Sequence, residues 1–184
     1  YMSNIELVAT DGSVVPVKDV VLVRFDDQPT FEVTADMPVG DYNRIRFDLG
    51  LDSTTNAQDP NTYDPSHPLS ILQGTYWDWN TMYRFSMSEG SIDTSGVGNN
   101  YNLTFTYHPG LNQLFREVSM NIPTISIVEN ASAGHTLELQ VIDMLRHPND
   151  PIDLVNDNVT HCMGAAQIAL AARVMDNFAN SFSN

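Results

Sequence analysis

Over most of this chain apolar residues recur at every second position, and only near the C-terminus does the interval lengthen to three or four. A β-strand turns successive side chains to opposite faces, whereas a helix returns to one face every three to four residues. The pattern therefore predicts a mainly β fold finished by one helix. Ile5, Leu7 and Ala9 alternate with polar residues, Asp11 and Gly12 make a turn, and Val20 to Phe25 is rich in β-branched residues. Phe31 to Thr34 reads as a short third strand, and Ile45, Phe47, Leu49 and Leu51 share one face of a fourth. The following DSTTNAQDPNTYDPSHP is nearly devoid of apolar residues and reads as a long surface loop.

From Thr75 the alternation is strongest. Trp77, Trp79, Tyr83, Phe85 and Met87 fall on odd positions, which predicts a half-buried strand, bent near Asn80, with both indoles on its buried face. Gly90 to Asn100 is a connection, Leu103 to Tyr107 is a strand ended by His108-Pro109-Gly110, and Val118 to Val128 and His135 to Leu145 are further strands. Ala165, Ile168, Ala172, Met175, Ala179 and Phe182 then mark a helix over Thr160 to Phe182, with Asn158 or Thr160 as its cap and one stripe against the sheet. The expected architecture is an antiparallel β-sandwich or open barrel of about eight strands with a C-terminal helix, a single domain over residues 1–184.

Charge narrows the partners. Twenty-three acidic against eight basic side chains give −15 at pH 7, which repels nucleic acid and anionic lipid and favours cations or basic proteins. No apolar run is long enough to span a bilayer. The single cysteine, Cys162, allows neither an internal disulfide nor a thiolate cluster, and its apolar neighbours Met163, Ala165 and Ala166 suggest an inert thiol. No GxSxG and no Gly-rich phosphate loop are present, and Asp52, Asp59 and Asp64 lack the spacing of an EF-hand, so the chain is not expected to be an enzyme.

Metal chemistry would then rest on the five histidines. His67 lies before the tryptophan segment, His108 ends a strand and His161 opens the helix. Element ends on one rim of a sandwich can converge, and neutral imidazoles suit copper or zinc. His135 and His147 read as exposed turn residues.

The segments YMSNIELVATDGS, GDYNRIRFDLGLDS, HPLSILQGTYWDWNTMYRFSMSEG and FTYHPG, followed by a helix opened by a histidine, together resemble the MbnP-like family of methanobactin-associated copper proteins, related to secreted copper-binding proteins of methanotrophs. The most specific part, WDWNTMYRFSMSEG, is similar to the family's WxWxxGY…EG block, with Met82 where a glycine is usual. The resemblance implies an exported, periplasmic or secreted copper-binding protein whose metal residues match His67, His108 and His161. It further implies Trp77 or Trp79 as a residue oxidised to kynurenine by a MauG-like di-haem peroxidase partner. An indole has no lone pair to donate, while kynurenine adds an amine nitrogen and a carbonyl oxygen. Strand sequence ahead of the SNI segment is usual in the family, so the domain is expected to lack its extreme N-terminal strand or strands and to expose an edge for a partner chain. A rival expectation is an extracellular interaction or surface-assembly module with the same sandwich and no metal.

Overall fold

The computed structural model describes residues 1–184. In chain order its strands are β1 (Met2–Ala9), β2 (Val14–Val21), β3 (Gly40–Leu49), β4 (Tyr76–Trp77), β5 (Met82–Tyr83), β6 (Ser88–Ile92), β7 (Leu103–Tyr107), β8 (Arg116–Ile127), β9 (Glu138–Leu139), β10 (Val159–Thr160) and β11 (Phe182–Ser183). Two helices of one turn, α1 (Ser53–Asn56) and α2 (Asp143–Arg146), precede the long α3 (Gly164–Ala179). The fold is mainly β, its sheets are largely antiparallel, and no barrel closes.

The principal sheet has the order β2-β1-β3-β8, all antiparallel. Its buried face carries the alternating set of the sequence: Ile5, Val20, Phe47 and Leu49 join Leu51, Leu69, Tyr83 and Phe85 in one core cluster. The helix completes that cluster with Ala171 and Met175, while Leu170 and Val174 join a second cluster with Tyr107 and Ile152. Thus α3 does not lay a single stripe on one layer; it is wedged between the principal sheet and a three-stranded sheet of order β10-β7-β6. At the outer edge of the principal sheet, β2 carries Pro16, which lacks the N–H that a further strand would need.

Several expected elements differ. Phe31 ends a short 3-10 turn (Gln28–Phe31) instead of starting a strand, and His135–Leu145 is largely irregular, with only β9 paired before α2. The helix starts at Gly164 without a side-chain cap from Asn158 or Thr160. The loop after β3 is no loose excursion. Asp52 caps α1 by accepting from the Thr54 and Thr55 amides, and Asn56 is buried.

The tryptophan segment departs most from the expectation. It is not one strand but a hairpin in which Tyr76 pairs with Tyr83 and Trp77 with Met82 across the turn 78–81. Paired residues share a face of a ribbon, so Trp77 lies with Met82 and opposite Tyr83, and Trp79 sits in the turn, 59% exposed. Met82 has φ +60°, the left-handed region that favours glycine. That conformation accounts for the glycine usual at this position.

Candidate functional site

Two strand ends meet beside the hairpin. Strand β10 runs parallel to β7 with Val159 opposite Thr106 and Thr160 opposite Tyr107. One residue beyond the end of each strand stand His108 and His161, and the shared register brings their rings to 5.0 Å between centroids. Trp77 packs edge-on against both, at 5.2 Å from His108 and 5.5 Å from His161. Trp79 stacks on Trp77 at 5.1 Å with 30° between the ring planes. The buried Arg84 places its guanidinium carbon 4.4 Å from the Trp77 ring centroid, a cation over an indole face.

Backbone bonds tie these segments together. Asn80 in the hairpin turn donates its side-chain amide to the His161 carbonyl at 2.5 Å, and the His108 amide donates to the Thr160 carbonyl at 2.9 Å. The Phe85 amide donates to the Pro109 carbonyl at 2.6 Å. Gly110 is needed where the His-Pro-Gly loop crosses the hairpin: a Cβ there would sit 2.5 Å from the Tyr83 carbonyl oxygen and 2.7 Å from Thr81 Cβ. Arg84 donates to the carbonyls of Thr75 and Gly74, which fixes the guanidinium over Trp77.

The ring nitrogens show an asymmetry. His108 Nε2 lies 2.7 Å from Glu89 Oε1, yet Nδ1 of His108 and Nδ1 of His161 are both buried without any hydrogen-bond partner. Buried polar atoms in folded proteins are nearly always paired, so two orphans in adjacent imidazoles call for a reason. Burial pushes the His108 imidazole below the usual histidine range, with the Arg84 cation and His161 acting in the same direction and the Glu89 carboxylate opposing them. The ring is thereby kept in the neutral form, the one that can donate a lone pair to a metal. Cys162 lies next to His161 in a left-handed conformation; burial raises its thiol pKa and its Sγ faces the His108 carbonyl at 3.7 Å.

His67 is engaged elsewhere. Its ring stacks on Tyr63 at 4.3 Å and its Nδ1 accepts the Leu69 amide at 3.1 Å. The fold therefore brings together His108, His161 and the tryptophan pair, and does not bring the three histidines into one cluster. No group of three His, Cys, Asp or Glu side chains is placed to hold a metal ion. Glu89 and Arg84 belong to the site and were not apparent from the sequence. Glu89 sits in β6, where the sequence reads only a strand end before a connection, and its partner His108 is 19 residues away.

The profile of the MbnP family matches residues 1–164, a span holding the hairpin, both strand ends and the whole site. The chain belongs to the MbnP family. Membership associates it with a methanobactin-linked, copper-related role. Neither a curated protein nor a solved structure matches the chain. Within an MbnP domain the residues present suit copper in one specific respect: two imidazoles side by side, each with an unpaired Nδ1. No helix is long and apolar enough to cross a membrane.

Proposed function

We propose that this MbnP-family domain is an exported copper-binding protein whose ligands are His108 and His161, with Trp77 as the residue beside the metal. It binds without catalysing a reaction. The observation that carries this reading is the pair of buried, unpartnered Nδ1 atoms in imidazoles 5.0 Å apart. Two nitrogen donors alone make a low-coordinate site that favours a soft ion and leaves a position to be filled.

Trp77 is the side chain in contact with both imidazoles, and its oxidation to kynurenine would fill that position. Opening the indole C2–C3 bond adds two oxygen atoms, and hydrolysis releases the C2 carbon as formate to free an aromatic amine. A di-haem peroxidase using hydrogen peroxide is the class of oxidant required. Trp79, stacked on Trp77 and exposed, is the surface through which electrons would leave. His67, held by Tyr63 and the Leu69 amide, contributes no ligand in this reading.

Copper titration against a chromophoric chelator tests it. Wild-type protein should take up about one copper per chain, and the His108→Ala/His161→Ala double variant should take up none at the same site. Equal uptake by the two proteins would reject the assignment. Loss of binding in His67→Ala comparable to that of the double variant would return His67 to the ligand set. Mass spectrometry of the tryptophan peptide from native material should show kynurenine at Trp77, and an intact peptide would remove the modification from the reading.

A further inference from the structure

We propose that Glu89 is the positioning residue of this site: it binds the Nε2 proton of His108 and so leaves the metal-binding lone pair on Nδ1. The proposal rests on the copper reading above for its purpose, but its geometry stands in the protein alone. Strand β6 pairs antiparallel with β7, with Glu89 opposite Thr106. His108 follows Thr106 by two residues, so its side chain projects on the same side as those of Thr106 and Glu89. Diagonal neighbours of this kind are within reach of long side chains, and Glu89 Oε1 closes to 2.7 Å of His108 Nε2.

An ionised carboxylate can only accept, so the proton of this bond belongs to Nε2. In a neutral imidazole the other nitrogen must then carry the lone pair, and that nitrogen, Nδ1, is the buried atom without a protein partner. Glu89 is well placed to do this cheaply, because its side chain is 59% exposed and keeps most of its hydration while His108 is only 5% exposed. A carboxylate behind a ligating imidazole also fixes the ring's rotation and raises its basicity. The Arg84 cation and the Glu89 carboxylate act on the His108 imidazole in opposite directions.

The experiment compares wild type, Glu89→Ala and Glu89→Gln in two measurements. In the metal-free protein, long-range proton–nitrogen correlation NMR should show His108 protonated on Nε2 with a slowly exchanging Hε2 resonance. That resonance should vanish in Glu89→Ala and persist in Glu89→Gln, whose side-chain carbonyl can still accept. In the second measurement, chelator competition with copper(I), Glu89→Ala should bind about 10- to 100-fold more weakly and Glu89→Gln close to wild type. A wild-type His108 protonated on Nδ1, or an Hε2 resonance unchanged in Glu89→Ala, would overturn the proposal. Equal losses of affinity in the Ala and Gln variants would also overturn it, because they would make Glu89 a ligand. If wild type bound no copper, the functional reading would fail, and the NMR measurement would still decide the role of Glu89.

Discussion

Asn56 is the residue whose loss should be felt most clearly by both the fold and the site. It is 4% exposed and stands between three segments: its Oδ1 accepts the Tyr83 amide at 3.0 Å, and its Nδ2 donates to Asn112 Oδ1 at 2.8 Å. Nδ2 also lies 3.4 Å from the carbonyls of Thr81 and Gly110, contacts long enough to contribute little. Asn56→Ala leaves the buried Tyr83 amide without a partner, which costs about 1–3 kcal/mol, and removes the Asn112 bond, worth about 0.5–1.5 kcal/mol net. The expected destabilisation is about 2–4 kcal/mol, read as a fall in the urea midpoint of roughly 1–2 M with an unchanged slope. Asn56→Asp keeps the acceptor for Tyr83 but turns an anion toward the oxygens of Thr81, Gly110 and Asn112, so it should be no more stable than the alanine variant at pH 7 and should recover in part on acidification. An alanine variant within about 0.5 kcal/mol of wild type would show that water replaces Asn56 and that the segment after β3 does not brace the hairpin.

Gly110→Ala should cost about 1–3 kcal/mol or more in urea melts, because its methyl group meets backbone oxygen and Thr81 rather than a side chain that can swing away. Met82→Gly should instead gain about 0.5–1 kcal/mol, since relief of a left-handed residue, worth about 1–2 kcal/mol, exceeds the added chain entropy of glycine; a loss of stability would place the weight on the Met82 Sδ contact with Tyr76. Cys162 should resist iodoacetamide in the folded protein at pH 8–9 and react on addition of urea, because burial holds its thiol proton. The same shift predicts a sign for stability: above about pH 8.5 the unfolded thiol releases a proton that the native one keeps, so its contribution falls as pH rises and is flat below. Rapid alkylation of the folded protein at pH 8 would contradict this.

Period and placement were legible in the sequence, and pairing was not. The face of Phe47 and Leu49, the strand at Leu103–Tyr107 and the position of His108 and His161 at element ends follow from alternation and its breaks. The tryptophan hairpin was hidden because its apolar residues keep odd numbers on both sides of the turn. The pairing of Trp77 with Met82 couples an odd position to an even one, so residues that share parity across the turn fall on opposite faces. The break near Asn80 marks a bend but not a full reversal, and the left-handed Met82 disguises a glycine position with a side chain. Glu89, Arg84 and Asn56 were illegible for a different reason: their partners are distant in sequence, and a single charged or amide residue on a strand reads as solvated surface. The contact between His108 and His161 depends on a parallel pairing of strand residues 53 apart, Val159 with Thr106 and Thr160 with Tyr107, which no periodicity encodes.

How the protein holds the two imidazoles also bears on their purpose. Around His161 the chain reverses through the left-handed Cys162, yet each amide of that reversal is bonded. The His161 and Met163 amides donate to Gln167 Oε1 from the first turns of α3, and the Cys162 amide donates to Thr160 Oγ1. The His161 carbonyl accepts from Asn80, and the His108 amide donates to Thr160. Backbone satisfaction is thus nearly complete where the chain is most contorted, and the helix that starts without a capping side chain at Met163 directs a glutamine back to secure the residues ahead of it. Against that background two unpaired ring nitrogens are not a sign of loose construction. Leaving them buried and unpaired costs stability, as it does for Thr81 Oγ1 and His135 Nε2, the other buried side-chain atoms without a partner, but only His108 and His161 set two such nitrogens in neighbouring rings. A backbone this fully bonded holds the two imidazoles 5.0 Å apart with both Nδ1 atoms unpartnered, and such fixed positioning of side chains by their surroundings is what a metal-binding site would need before the metal arrives.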